Sequence, residues 1–425
     1  MADTIFALSS GAPPAAIAVV RISGPSAGAA LQALSGRLPP ERRAVTATLR
    51  DAVGAALDRA LVLWLPGPHT ATGEDSAELH LHGGRTVVAA VSAVLAAMPG
   101  LRAAEPGEFT RRAFANGRID LSEAEGLADL LNAETELQRQ SALAMAGGSF
   151  SRQVEVWRDQ LLGLSASVEA VLDFADEDDV ALLPADFLQR IDVLRSEISS
   201  WLTRPRAEVL REGYRVVIAG PPNAGKSTLF NILVQSEAAI ATPIAGTTRD
   251  VLTRPVAYGG IPFLFADTAG LHDATDDVVE AIGIERALEA LDRADLVLWL
   301  GPEDEGPRAS WEIAAQCDRA GVPGKAHPRH RVSAVNGEGI PGLIADLVAT
   351  AQHAMPKPGE AALNQRQYDL LRDAARALQA AEDEADPLLV AEALRLTRVA
   401  FDALLGRTTT EHMLDALFGR FCIGK

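Results

Sequence analysis

Cysteine is scarce, with two among 425 residues, Cys317 and Cys422. Neither has a neighbour at metal-ligand spacing, and so distant a pair makes no disulfide framework. A reducing cytosol is the expected setting. Positive charge is also short. Against 57 Asp and Glu stand 39 Lys and Arg, a net charge of −18. A protein that grips nucleic acid over a wide surface neutralises phosphates with a basic face. That class is disfavoured for the chain acting alone, although a local basic strip or a basic partner would supply the grip. Long apolar runs are missing too: stretches such as Ala294–Leu300 are too short to span a bilayer. The N-terminus lacks a charged segment followed by an unbroken apolar one, so no signal peptide is expected. The run Asp176–Asp179 reads as a solvated loop.

What is present suits folded domains. Hydrophobic residues make up 48% and charged residues 23%, and the length allows two or three domains. Residues 1–116 mix strand-like runs, Ala16–Ile22 and Ala60–Leu65, with a helical pattern over Arg85–Met98, an α+β signature. Residues 117–210 read as helix. Ser122 and Glu125 match a capping box, Leu127, Leu130, Leu131 and Leu137 follow near helical spacing, and Gly147-Gly148 marks a stop. Helices are expected again over about 153–174 and 186–202. Residues 211–352 alternate strand and helix, which predicts a mainly parallel sheet. Helical pattern returns over 353–425. The expected architecture is multidomain α/β and α, with an α/β domain inserted in a helical one.

The strand-like Arg215–Ala219 runs into Gly220-Pro221-Pro222-Asn223-Ala224-Gly225-Lys226-Ser227 and then a helical stretch beginning at Thr228. This strand–GxxxxGK[ST]–helix order is a phosphate-binding loop. Its backbone N–H groups and helix start attract phosphate. Lys226 is expected on the β- and γ-phosphates and Ser227 on Mg²⁺. Asp267 ends a second strand and leads into Thr268-Ala269-Gly270, where Asp267 suits the Mg²⁺ shell and the Gly270 N–H the γ-phosphate. Between them Ala245-Gly246-Thr247-Thr248-Arg249-Asp250 is placed like a first switch. Ser333-Ala334 resembles a base-contacting loop. The four features in this order resemble a translation-factor-type GTPase. Leu271 stands where related enzymes orient water with Gln, and Glu280 is the local candidate for that task.

A GTPase also carries Asn-Lys-x-Asp, whose Asp accepts two hydrogen bonds from the guanine edge. No such motif is read after Leu296–Leu300. The nearest match is Gly324-Lys325-Ala326-His327. There Lys325 offers an alkyl stem to the base, while His327 cannot accept two bonds as a carboxylate does. The expectation is reduced affinity and selectivity for guanine.

Over nearly its full length the chain resembles the MnmE (TrmE) family. The matching pieces include Val20-Arg21-Ile22-Ser23-Gly24, Thr72–Glu78, Glu105–Thr110, Phe114–Glu125, Thr247–Asp250, Asp267–Leu271 and the ending Phe421-Cys422-Ile423-Gly424-Lys425. The resemblance implies a cytoplasmic homodimer paired through its N-terminal domain. It implies a heterotetramer with the FAD protein MnmG, which adds an aminomethyl or carboxymethylaminomethyl group to the wobble uridine of certain tRNAs. The one-carbon unit comes from a 5,10-methylene- or 5-formyl-tetrahydrofolate held by Arg21, Glu78, Arg118 and Lys425. GTP is held by 223–228, by the switch residues Thr242, Pro243, Ile244, Ala245, Gly246, Thr247 and Thr248, and by 267–270. Mg²⁺ sits on Ser227 and Thr248, and an activating K⁺ on Asn223, Thr242, Ile244 and Thr247. Glu280 is the matched catalytic acid, and Cys422 is either a participant at the one-carbon unit or a small apolar residue. Competing readings are a ribosome-assembly GTPase, disfavoured by the acidic charge, and a scaffold with weak nucleotide binding.

Overall fold

The computed structural model describes residues 3–173, 183–235, 240–241, 252–267, 290–319, 324–408, 410–419 and 421–424. They form two compact units, one of residues 1–128 with 399–425 and one of residues 129–398.

In the first unit β1 (Thr4–Leu8), β2 (Ile17–Ser23), β3 (Val45–Arg50), β4 (Ala56–Leu65), β5 (Ser76–His82) and β6 (Leu101–Ala103) form one sheet ordered β3-β4-β5-β2-β1-β6. All neighbours are antiparallel except β1 and β6. The alternation along β2 buries Ala18, Val20 and Ile22 and leaves Arg21 on the other face. Helices α1 (Ala27–Ser35) and α2 (Arg85–Ala96) bury Leu31, Leu34, Val91 and Leu95 in the same core as these β2 residues. The expected α+β arrangement is present, with both strands and the helix within a few residues of their sequence positions.

Helix α3 (Glu108–Ala115) precedes α4 (Leu121–Leu131). The capping box of α4 lies two residues before the expected pair. The Glu123 N–H donates to Asp120 Oδ1 at 2.9 Å, and the Asp120 N–H to Glu123 Oε2 at 2.9 Å. Ser122 is buried and donates instead to the Leu404 carbonyl at 2.9 Å. The final helix, Glu411–Phe418, buries Phe418 in one cluster with Leu121, Ala124 and Phe421. The tail then reaches the sheet: Gly107 N–H donates to the Cys422 carbonyl at 3.4 Å, and Ile423 bridges to Pro106. Gly424 has φ +93, and a Cβ there would lie 2.1 Å from the Leu8 carbonyl oxygen. Only glycine fits that approach.

In the second unit the helical run anticipated through Leu137 is broken at residues 132–135. Helix α5 (Glu136–Ala146) starts afresh on a Thr135–Gln138 capping box. Leu137 belongs to the core of the second sheet, and its N–H donates to the Gly260 carbonyl at 3.2 Å. Helices α6 (Ser149–Asp173) and α7 (Phe187–Leu202) pair around Phe150, Trp157 and Trp201, and α8 (Ala207–Glu212) leads to the sheet.

That sheet holds β7 (Tyr214–Ala219), β8 (Ile240–Ala241), β9 (Leu252–Tyr258), β10 (Ile261–Asp267), β11 (Leu296–Trp299), β12 (Trp311–Ala314) and β13 (His330–Arg331) in the order β13-β12-β11-β7-β10-β9-β8. The five strands from β13 to β10 run parallel, while β9 and β8 are antiparallel additions. Val216, Ile218, Phe265 and Leu298 are fully buried, as expected of a parallel sheet covered on both faces. Helices α9 (Lys226–Gln235) and α10 (Ile340–Ala354) bury Leu233, Leu343 and Leu347 in its core. Helix α11 (Gln365–Asp383) packs on α7, and α12 (Pro387–Leu405) follows. The expected mixed fold with a mainly parallel sheet is thus realised.

Candidate functional site

The central strand β7 delivers the chain to the loop 220–225, and α9 begins at Lys226. Two features shape this turn. Asn223 takes φ +62, a conformation Asn tolerates better than most residues. The Lys226 ammonium folds back to donate to the carbonyls of Gly220 and Pro221, each at 2.9 Å. Lys226 is 4% exposed. Burial holds its ammonium below the usual lysine value, against the opposing pull of the Asp267 carboxylate. Asp267 ends β10 beside β7 and is itself buried. Ser227 and Thr228 are exposed at the start of α9. A hydroxyl at a helix N-terminus, a buried cation and a nearby buried carboxylate suit a phosphate–Mg²⁺ group.

A shallow, solvent-open cleft adjoins this loop, lined by Gly225, Thr228, Gln316, Asp318, Arg319 and Ala334 among others. Its far wall is the loop after β12. That position, two strands along from β7 in the parallel series, belongs to the residues Ala315-Gln316-Cys317-Asp318. The carboxylate expected to be missing is therefore present in the cleft as Asp318. The Ser333 hydroxyl and its own backbone N–H hold its carboxyl below the ordinary aspartate value. Ser333 is buried, and its Oγ also accepts from the N–H of Val335 at 3.2 Å and of Asn336 at 3.4 Å. Ser333 thus orients the carboxylate, while Ala334 faces the cleft.

Lys325 requires the matching correction. It is absent from the cleft lining. Its ammonium donates to the Trp299 carbonyl at 2.7 Å and pairs with Glu312, with 7% of the side chain exposed. The next two backbone N–H groups, Ala326 and His327, both donate to Glu303 at 2.6 Å. Gly324–His327 is a structural loop knitted to β11 and β12, because a buried ammonium needs a counter-charge and Glu312 supplies one. Asp318 was legible in principle as an acid four residues after the short strand β12. Replacement of the motif's Asn and Lys by Ala315 and Gln316 hid it.

In the first unit Arg21 and Glu78 are cross-strand partners of β2 and β5. Arg21 donates through Nε and Nη2 to Glu78 Oε1 at 3.2 and 3.0 Å, and His80 meets Oε2 at 3.2 Å. The Arg21 guanidinium lies 5.9 Å from the Phe109 ring centre. Arg118 is exposed, and its stem runs past Gly73. Cys422 is exposed and hydrogen-bonded through its carbonyl to Gly107, two residues from Phe109. Sequence reasoning missed the ion network of this unit. Arg112 bonds Asp3, Glu74 and Glu108, while Arg102 bonds Asp3 and Glu108.

Thr242, Pro243, Ile244, Ala245, Gly246, Thr247, Thr248, Thr268, Ala269, Gly270, Glu280 and Lys425 lie outside the described residues. Among the described residues no cluster of three acidic, His or Cys side chains forms a metal site, and no helix is long and apolar enough to cross a membrane.

The model of the GTP-binding protein TrmE N-terminus matches residues 4–118, and that of the MnmE helical domain matches residues 121–422. The tRNA modification GTPase MnmE of Novosphingobium aromaticivorans is 62% identical over 437 residues, covering 100% of both chains. That of Erythrobacter litoralis is 62% identical over 423 residues, again covering 100% of both. Among solved structures, the G domain of the T. maritima FeoB iron transporter aligns with 32% of this chain and 98% of its own, at 22% identity and a TM-score of 0.24. The full-length identity and the two family matches establish that this chain belongs to the MnmE family of tRNA modification GTPases.

Proposed function

We propose that this chain hydrolyses GTP to drive modification of the tRNA wobble uridine. The observation that carries the reading is the joining of a phosphate loop to a carboxylate-bearing cleft in one sheet. Asp318 accepts from the N1–H and 2-amino group of guanine, and the Ala334 backbone N–H donates to the base carbonyl. A carboxylate that accepts two bonds rejects adenine, which lacks the matching donors. Lys226 leaves its loop carbonyls for the β- and γ-phosphates. Ser227 and Thr248 would hold Mg²⁺, with the Asp267 carboxylate close enough to favour the cation. Bound there, the ion would supply charge neutralisation at the phosphates. Asn223, Thr242, Ile244 and Thr247 would hold K⁺, and Glu280 positions the attacking water in place of the Gln that Leu271 replaces.

The N-terminal domain, residues 1–116, binds the tetrahydrofolate derivative and pairs two copies of the chain. Arg21, Arg118 and Lys425 offer cations to the glutamate tail, while Glu78 addresses the pterin. The helical domain, residues 117–210 with 353–425, carries the GTPase domain, residues 211–352, and ends in the segment bearing Cys422. The chain acts in the cytoplasm with MnmG, which supplies the flavin and much of the tRNA grip that an acidic protein lacks. The experiment is nucleoside analysis of tRNA from a deletion strain. Restoration of the modified wobble uridine by the intact gene but not by Lys226→Ala supports the reading. Unchanged modification in the deletion strain refutes it.

A further inference from the structure

The standard guanine motif places a lysine two residues before its aspartate, and this chain has Gln316 there. Gln316 has φ +58, and its Nε2 donates to the Asn223 carbonyl at 3.2 Å. Packing is close: a Cβ on Gly225 would lie 3.2 Å from that nitrogen. The amide therefore ties the base-reading loop to the phosphate loop, but it brings no charge. One residue past Asp318, Arg319 donates through Nη1 to Gln316 Oε1 at 3.4 Å. Arg319 also lines the cleft beside Asp318.

We infer that Gln316 and Arg319 together replace the missing lysine, Gln316 as the tether to the phosphate loop and Arg319 as the cation that covers the face of the bound base. The inference rests on the guanine-nucleotide reading of the cleft. The chemistry divides cleanly. A lysine does both tasks with one side chain, its ammonium bonding a carbonyl while its stem covers the ring. A glutamine amide donates equally well but ends too soon to cover the ring. A guanidinium is planar and stacks on aromatic faces better than an ammonium. The arginine donates to the amide oxygen and so turns the amide nitrogen toward Asn223, where a free amide has two orientations. Stacking does not read the base edge, so Arg319 sets affinity for any base that Asp318 admits. Asp318 sets which base that is.

The test is calorimetric titration of the full-length protein with GDP and with xanthosine diphosphate. Xanthine carries a carbonyl where guanine has its 2-amino group, so it complements an amide better than a carboxylate. Asp318→Asn should weaken GDP by about a hundredfold and favour the xanthine nucleotide. Arg319→Ala should weaken GDP roughly three- to tenfold, the scale of a partly exposed guanidinium–ring contact. In the Asp318→Asn background it should weaken xanthosine diphosphate by the same factor. In turnover it should raise KM for GTP and leave kcat. Gln316→Lys in the Arg319→Ala background should restore GDP affinity. Wild-type affinity in Arg319→Ala, or failure of Gln316→Lys to rescue, would overturn the division of roles while leaving the cleft reading intact. Failure of Asp318→Asn to change base preference would overturn the cleft reading itself. Arg319 is exposed, and an unchanged melting curve for its variant verifies that the fold is retained.

Discussion

Replacing Lys325 with Ala separates two roles that sequence and structure give it. In the structure its ammonium bonds the Trp299 carbonyl and Glu312, with 7% of its own side chain and 19% of the Glu312 side chain exposed. Removing one partner of a fully buried pair costs about 3–5 kcal/mol, mostly for the charge left behind. Glu312 keeps some contact with water, so about 2–3 kcal/mol is expected here. At about 2–4 °C per kcal/mol for units of this size, the transition should fall by roughly 5–10 °C. The assay is thermal unfolding followed by tryptophan fluorescence, since Lys325 bonds the Trp299 carbonyl and Trp311 adjoins Glu312 in sequence. GDP affinity measured below the transition should stay within about twofold of wild type, because Lys325 does not line the cleft. A variant that melts like wild type but binds GDP about tenfold more weakly would refute the reasoning and return Lys325 to the base.

Other outcomes follow from particular contacts. Gly424→Ala should expel the tail from β1, because its Cβ would overlap the Leu8 carbonyl oxygen; faster proteolysis at the C-terminus and faster labelling of Cys422 would register this. Thr135→Ala should cost about 1 kcal/mol in urea unfolding through loss of the α5 cap. Glu108 is pushed up by burial, but the bonds from Arg102, the Glu105 N–H and Arg112 outweigh that and leave its carboxyl below the usual 4.5. The Arg102 bond likewise lowers Asp3. Depressed carboxylates contribute their full stability above their unfolded values and lose it as pH falls through the folded ones. Urea midpoints should therefore drop from about pH 4.5 downward, and Glu108→Gln should show a shallower acid slope. Turnover of GTP in KCl should exceed that in NaCl at equal ionic strength; equal rates would remove the K⁺ assignment.

The phosphate loop was legible because its backbone geometry demands a fixed local pattern, glycines and Lys226-Ser227 between a strand and a helix. The Arg21–Glu78 pairing was partly legible, since both residues lie in matched segments, but only strand register brings them face to face. The cap of α4 was misplaced because Ser122 looks like a capping residue, whereas its hydroxyl serves the Leu404 carbonyl. The break at residues 132–135 carries no Gly or Pro, so helical spacing seemed to run through it. The Asp3–Arg112 contact spans 109 positions and leaves no periodic trace. Asp318 was hidden by its own motif, two of whose four residues have changed. The four-residue β12 before it contains Glu312, which reads as solvent-facing until its pairing with Lys325 is seen.

The central claim is that a carboxylate in the cleft makes this enzyme select guanine. The direct measurement is GTP hydrolysis by the full-length protein in KCl and Mg²⁺ with ATP in tenfold or greater excess. Undiminished GTP turnover is the predicted result, because adenine has no donor at N1 or C2 to meet the Asp318 carboxylate. Turnover suppressed in proportion to added ATP would contradict the account.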